Sequence, residues 1–322
     1  MDPAATGSSV ARFAQHTPLF HDVELSERHG SSVHLKLECL QVTGSFKVRG
    51  AASRMLALSP KERRRGVVTC SSGNHGRAVS YVARRLEVPA TICVPEWVDP
   101  VKLEAIKLDG AEVILAGGTY DEAEARAQEI HRSDGRVYVH PFDDPLVIAG
   151  QGTISAEILD DLPILSRIVV PLSGGGLAAG VARAAKAVRP DVWITAVSAE
   201  RANVMVRSLE AGRPIEVAEE PTVANALSGG IGIPNHHTFE MVKDLVDEHV
   251  QVSEDEILRA MAYAVHERSL LVEGGGAVGL AALLASKLRD RPNEVEGGAT
   301  AIILSGGNVS LADLAALSPP SA

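Results

Sequence analysis

Short apolar runs alternate with longer amphipathic stretches along most of the chain. The runs Val33–Leu37, Gly66–Cys70, Ala90–Val94, Ala111–Leu115, Ile168–Pro171, Trp193–Val197, Val250–Val252 and Ala299–Leu304 predict strands. Between them, Lys47–Leu56, Arg77–Leu86, Tyr120–Arg132, Ile154–Asp160, Leu177–Val188, Asp255–Arg268 and Val278–Leu288 carry apolar residues at helical spacing. Strand–helix alternation of this kind predicts an α/β chain with parallel open sheets flanked by helices. Turn residues in Pro141-Phe142-Asp143-Asp144-Pro145 predict a boundary between two lobes. The ends, Met1–Ser9 and Ser318–Ala322, read as disordered.

Length and composition narrow the class. A chain of 322 residues can bury a large core and is expected to form two lobes rather than one. With 45% hydrophobic, 22% charged and 3% aromatic residues, it reads as a soluble α/β enzyme. A net charge of −10 argues against non-specific nucleic-acid binding, which needs a basic surface. Cys39, Cys70 and Cys93 are widely spaced and read as small buried hydrophobes in a reducing compartment. The N-terminal residues lack the apolar stretch of a signal peptide, and no apolar run approaches the ~18 residues of a membrane span. The expectation is a cytoplasmic protein that binds neither membrane nor nucleic acid.

Three of the expected strands end alike. Val67–Cys70 runs into Ser71-Ser72-Gly73-Asn74-His75-Gly76, Ile168–Pro171 into Ser173-Gly174-Gly175-Gly176-Leu177, and Ile302–Leu304 into Ser305-Gly306-Gly307-Asn308. Ligands of open parallel sheets bind beyond the carboxyl ends of strands, so these turns are candidates for one crevice. In SGGGLAAG, backbone N–H groups can close on an anion at a helix N-terminus. The loop is neither GxGxxG nor a GK[ST] P-loop, so a lone phosphate fits better than a nucleotide. SSGNHG has the same anion-binding logic, with donors added by Ser71, Ser72 and Asn74. His75 has no acid partner nearby in sequence and reads as structural, or as a backbone contributor. No histidine pattern suggests zinc. Ser305 offers a neutral hydroxyl, suited to a heteroaromatic nitrogen.

Lys47 poses a separate question. It follows the turn Thr43-Gly44-Ser45-Phe46, with Thr43 or Ser45 as candidate caps, and opens a helix where the dipole is already positive. A positive helix end and a desolvated pocket both lower a lysine pKa and favour the neutral amine. One amine, two anion-binding loops and one neutral hydroxyl are the parts of a pyridoxal-phosphate site.

The motifs HTPLF, LKLECLQVTGSFKVRGA, SSGNHGRA, IAGQGTI, SGGGLAAG and LSGGN, in this order, resemble fold-type II pyridoxal-phosphate enzymes of the serine/threonine dehydratase and serine racemase branch. The likeness runs from about His16 to Asn308. It implies a two-lobed, tryptophan synthase β-like fold, with a large lobe of residues 1–65 and 144–322 and a small mobile lobe of residues 66–143. It implies a homodimer, and pyridoxal 5'-phosphate as cofactor. Lys47 would form the Schiff base, and Phe46 would flank the ring. Asn74 would bond the ring hydroxyl; Ser173, Gly174, Gly175, Gly176 and Leu177 would cradle the phosphate. Ser305 would face the pyridine nitrogen. Ser71, Ser72, Asn74 and His75 would hold the substrate carboxylate, mainly through backbone N–H groups. The chain stops soon after SGGN, so no regulatory domain is expected.

Two departures refine this. Relatives with a divalent cation keep acidic groups after the strand matching Trp193–Val197; here Glu200 remains, but the later position is Val206, so no metal is expected. Glu273-Gly274-Gly275-Gly276 replaces the usual glutamate–proline pair. With PFDDP, SAER and SLEAGRP, this resembles the hydroxyectoine-utilisation dehydratases more than housekeeping threonine enzymes. The implied reaction is β-elimination of water from a 3-hydroxy amino acid, giving a 2-oxo acid and ammonia. Racemisation, with Ser72 as a second acid/base, is the nearest alternative. A β-replacement synthase fits the SSGNHG loop less well, and a non-catalytic binding protein would leave Lys47 without a cofactor.

Overall fold

The computed structural model describes residues 3–96, 98, 100–290, 297–310, 314–315 and 317. Strands β1 (Leu19–His21), β2 (Ser32–Lys36), β3 (Val67–Cys70), β4 (Ala90–Val94), β5 (Glu112–Leu115) and β6 (Val137–Tyr138) come first. They are followed by β7 (Leu165–Pro171), β8 (Trp193–Ala199), β9 (Glu248–Val252) and β10 (Ala299–Ile303). The helices of the first half are α1 (Pro3–Val10), α2 (Val23–His29), α3 (Lys47–Leu56), α4 (Pro60–Arg65), α5 (Asn74–Leu86), α6 (Pro100–Leu108) and α7 (Tyr120–Asp134). Those of the second are α8 (Pro145–Gln151), α9 (Thr153–Asp161), α10 (Gly176–Val188), α11 (Val204–Glu210), α12 (Thr238–Leu245), α13 (Glu254–Arg268) and α14 (Gly274–Leu284).

Two sheets result. One has six strands in the order β1-β2-β10-β7-β8-β9, parallel except for the β1–β2 pair. The other has four parallel strands in the order β5-β4-β3-β6. Every residue of β7 and β10 is buried, as expected of central strands covered on both faces. Helix starts follow local chemistry. Ser59 with Glu62, Thr119 with Glu122 and Ser253 with Glu256 form capping boxes, and Asp144 caps α8 ahead of Pro145.

Helix α3 joins the two halves of the molecule. Its Val48, Ala51, Ala52 and Met55 pack with β3, β4 and α5 residues such as Val67, Ile92 and Val79. Its polar face meets a buried ionic cluster. Arg49 Nε donates to Glu38 Oε2 at 2.8 Å, and Arg49 Nη1 to Glu157 Oε1 at 2.6 Å. Lys36 Nζ lies 2.6 Å from Glu157 Oε2 and donates to the Thr17 carbonyl at 2.7 Å. Two cations and two anions thereby fix α3 against β2 and α9.

Some local expectations change. Residues Pro3–Val10 form a helix where disorder was expected, and Val10 is buried beside α3 residues; Ser318–Ala322 lie outside the described residues. Helix α14 begins at Gly274 instead of Val278 and ends at Leu284 instead of Leu288. Backbone crowds two of its three leading glycines: a Cβ on Gly274 would strike the Val223 carbonyl, and one on Gly276 the Gly306 carbonyl.

Candidate active site

Lys47 is the first residue of α3, and neither expected cap holds it. The N-cap is Phe46, with no side-chain cap bond; Thr43 Oγ1 reaches the Ser45 carbonyl at 3.4 Å, and Ser45 Oγ is buried without a partner among the described residues. The turn is fixed instead by pairing with the loop after β10. Ser45 forms a bridge with Gly306, Phe46 N–H donates to the Ser305 carbonyl at 3.1 Å, and Gly307 N–H to the Gly44 carbonyl at 2.8 Å. Backbone pairing has replaced capping as the device that orients Lys47.

The Lys47 amine donates to the Pro141 carbonyl at 2.8 Å and lies 5.3 Å from the Phe46 ring centre. Burial pulls its pKa down to about 8, against an opposing pull from the Glu273 carboxylate. A usable fraction of the amine, roughly a tenth, is then neutral at pH 7.

The SSGNHG turn enters from β3. Ser71 Oγ accepts the Gly73 N–H at 3.3 Å, and Ser72 is half-buried beside it. Asn74, first in α5, donates from Nδ2 to Glu273 Oε1 at 2.5 Å and accepts at Oδ1 from Asn308 Nδ2 at 2.6 Å. The His75 ring points elsewhere. Its Nε2 is 2.9 Å from the Val139 carbonyl, and its Nδ1 has no partner, which is the pattern of a neutral imidazole. Burial pushes its pKa down to about 3. What His75 can present to a ligand is its backbone N–H.

The SGGGL turn closes the crevice from the other sheet. Ser173 Oγ donates to the Leu227 carbonyl at 2.7 Å. The N–H groups of Gly174, Gly175, Gly176 and Leu177 have no protein acceptor among the described residues. Each glycine is walled in. A Cβ on Gly174 would sit 2.5 Å from the Phe142 ring, and one on Gly176 would sit 2.8 Å from Phe142. Gly175 has φ +88°, and a Cβ there would be 2.9 Å from Met205. Phe142 belongs to the segment His140–Asp144, which links the sheets. His140 Nδ1 accepts the N–H groups of Phe142 and Asp143, while the Asp143 carboxylate accepts those of His236, His237 and Thr238. Ser305, 5% exposed, lies at the end of β10, and its carbonyl holds Phe46.

The SGGN turn therefore pairs directly with the Lys47 turn, and the SSGNHG turn is tied to it through Asn74, Asn308 and the Thr43 carbonyl. The SGGGL turn packs on Phe142, next to the Pro141 carbonyl that accepts from Lys47. The sequence motifs did not assign roles to Glu273, Arg77, the Pro141 carbonyl or the Asn308 side chain. Asn308 ends the SGGN motif and was in view; Glu273 stood out only as a departure from a pattern. Glu200 is exposed, 3.9 Å from Lys287 Nζ, and Val206 is packed in the core with Met205 and Phe239. Among the described residues no three His, Cys, Asp or Glu side chains are grouped to hold a metal ion.

The donor set suits pyridoxal phosphate. Unpartnered N–H groups at a 13-residue helix offer an anion site, Lys47 offers an amine, and the walled glycines leave the loop backbone bare. The family of pyridoxal-phosphate-dependent enzymes matches residues 10–306. The chain belongs to that family. Its two-sheet α/β architecture is that of the fold-type II members, and its cofactor is pyridoxal 5'-phosphate. It is 44% identical to the L-threonine ammonia-lyase of Thermotoga maritima over 94% of this chain and 74% of that one. It is 42% identical to the Geobacter sulfurreducens L-threonine ammonia-lyase over 92% of this chain and 72% of that one. Maize serine racemase superposes with a TM-score of 0.91 at 34% identity, over 97% of this chain and 94% of that structure.

Proposed function

We propose that this pyridoxal-phosphate enzyme is an ammonia-lyase that eliminates water from a serine- or threonine-like 3-hydroxy amino acid. The observation that carries the reading is the buried Lys47 amine, its pKa lowered, held on the Pro141 carbonyl beside the Phe142 wall of the SGGGL turn. The cofactor, when bound, supplies a carbonyl that captures amines and a ring that withdraws electrons from Cα. Lys47 Nζ is the amine that holds it and the base that takes the Cα proton. The N–H groups of Gly174, Gly175, Gly176 and Leu177, with Ser173, hold its phosphate. Asn74 would donate to its ring oxygen, Phe46 would flank it, and Ser305 would face its ring nitrogen without adding charge. Ser71, Ser72, Asn74 and His75 hold the substrate carboxylate, chiefly through the N–H groups at the start of α5. The Cα–H and Cβ–O bonds break and water leaves. Hydrolysis of the enamine consumes one water, so the net products are a 2-oxo acid and ammonia.

Lys47→Ala tests this: the protein should fold but release no ammonia, and turnover near the wild-type rate would overturn the assignment. The likeness to maize serine racemase favours a second reading. There Ser72 would exchange a proton at Cα from the face opposite Lys47. The ratio of D-isomer formed to oxo acid released decides between the two.

Narrower points belong to the same proposal. The sequence likeness to hydroxyectoine-utilisation dehydratases favours a β-hydroxylated amino acid from hydroxyectoine breakdown as substrate, which a panel of 3-hydroxy amino acids assayed for ammonia would test. Residues 66–143 carry the four-stranded sheet and would move as a small lobe against residues 1–65 and 144–322. No helix among the described residues is long and apolar enough to cross a membrane, and we read the protein as a cytoplasmic homodimer. Sedimentation tests the dimer.

A further inference from the structure

A string of hydrogen bonds crosses the crevice from one sheet to the other. Arg77 Nη1 donates to Asn308 Oδ1 at 2.7 Å. Asn308 Nδ2 gives one hydrogen to the Thr43 carbonyl at 2.9 Å and one to Asn74 Oδ1 at 2.6 Å. Asn74 Nδ2 then donates to Glu273 Oε1 at 2.5 Å. A guanidinium can only donate, and a carbonyl or carboxylate can only accept, so the ends dictate how both amides face. The string runs from a positive end at Arg77 to a negative end at Glu273.

Glu273 is held for that role. It is 8% exposed, and it sits at the N-cap of the 11-residue helix α14, where the helix dipole favours an anion. Its backbone N–H donates to the Gly306 carbonyl at 3.0 Å. Gly306 lies between the carboxylate and the turn that carries Lys47. It pairs with Ser45 on one side, and on the other a Cβ would collide with Glu273 Oε1. Only hydrogen fits there. The titratable groups around the Lys47 amine are His75 from α5, His140 from the linking segment, and Glu273 from α14. Burial keeps both histidines neutral near pH 7, with pKa values pushed down to about 3 and about 4. Cys39 also feels Glu273, and its buried thiol stays protonated, its pKa pushed up to about 12.

We propose that Glu273 is a positioning residue for the reaction: its carboxylate, locked by Asn74 and the α14 N-terminus, sets how readily Lys47 gives up its proton. The inference rests on Lys47 being the reactive amine. It assigns a cause to the pH range in which the enzyme works. Burial favours the neutral amine, and the carboxylate opposes part of that fall, leaving the pKa at about 8. Glu273→Gln removes the charge but retains an oxygen acceptor for Asn74.

The test uses full-length protein carrying carbon-13 dimethyl groups on its lysines, with the Lys47 resonance assigned by its loss in Lys47→Arg. In Glu273→Gln the Lys47 titration should move to lower pH by about half a unit or more, and in unlabelled enzyme, whose Lys47 keeps its primary amine, the acid limb of kcat/KM should move with it. Glu273→Asp keeps the charge one methylene further away and should give a smaller move in the same direction. It also serves if the Gln variant does not fold. An unmoved or upward-moving titration in a folded variant overturns the proposal. Borohydride reduction of the loaded enzyme and peptide mapping keep the two readings apart. Cofactor mass on another lysine would sink the assignment of Lys47, whereas mass on Lys47 with an unmoved titration would sink only the role of Glu273.

Discussion

The SSGNHG and SGGGL turns share one plan, a strand running through serine and glycine into a helix N-terminus, yet they are built for different lengths of occupancy. At Gly174, Gly175 and Gly176 a Cβ would meet Phe142, Met205 and Thr238 within 3.0 Å, so this backbone is walled and rigid. At Gly73 nothing lies within 4 Å of a Cβ, although the back of the same turn is fixed, with Gly76 against the Ser71 carbonyl and His75 on the Val139 carbonyl. A walled loop costs little to organise around a resident group, while an open one lets a small anion enter and leave. The first suits the cofactor phosphate and the second a substrate carboxylate that must change at every turnover.

Gly174→Val tests the walled loop and should have the largest effect. Its side chain drives into the Phe142 ring, and overpacking of about 1–3 kcal/mol should weaken cofactor binding roughly ten- to a hundredfold. Absorbance titration with pyridoxal phosphate measures it. Adding Phe142→Ala should recover part of the loss; no recovery would mean that the wall is not what constrains the loop. Gly73→Ala should behave differently. Cofactor affinity and Tm should hold while KM rises severalfold with little change in kcat, the pattern of lost ground-state binding. Cofactor loss in this variant would erase the distinction between the loops.

The sequence revealed the loops but not this distinction. Glycine-rich ends of apolar runs are local patterns, and β3, β7 and β10 stand out because each is a buried, mostly apolar central strand. The wall is assembled from Phe142, Met205 and Thr238, which are remote in sequence, and no spacing rule links them to Gly174 or Gly175. β1 and β6 escaped notice because they have three and two residues, too few for a period. Lys36, Glu38 and Arg49 look like surface charges until tertiary folding pairs them in the interior. Lys47 was legible as an amine of low pKa, since helix end and burial both point that way. The counter-charge at Glu273 was not, because it is remote from Lys47 in sequence and tertiary folding alone brings its charge within reach of the amine.

The anchor behind the open loop has its own pH signature. The His75 pKa falls from 6.5 to about 3 on folding because burial disfavours the charged ring. Between these values the unfolded chain binds a proton that the folded chain refuses. This part of the stability is therefore complete above pH 6.5 and is lost as pH falls toward 3. His75→Gln should be less stable than wild type at pH 7.5 but lose less Tm on going to pH 4.5. His140 titrates late for the same reason and is unchanged in both proteins, so the difference isolates His75. Parallel Tm curves would show that the ring is not held neutral.

The smallest effect is expected at the third turn, where Ser305 tests whether the resident group is only held or also tuned. Its carbonyl fixes Phe46 in any variant, so the turn should survive changes to the hydroxyl. Ser305→Ala removes one hydrogen bond and should weaken cofactor binding by about 0.5–1.5 kcal/mol, tenfold or less. This is below the loss expected at Gly174, because a missing contact costs less than a collision. Ser305→Asp asks a different question. A carboxylate favours a protonated ring nitrogen far more than a hydroxyl does, which makes the ring a stronger electron sink. Elimination should then fall relative to transamination once equal cofactor occupancy is confirmed by absorbance. If a fully loaded Ser305→Asp enzyme partitions as wild type does, the hydroxyl does not face the ring nitrogen. The third turn would then serve only to hold Phe46 and Gly306, and through them Lys47 and Glu273.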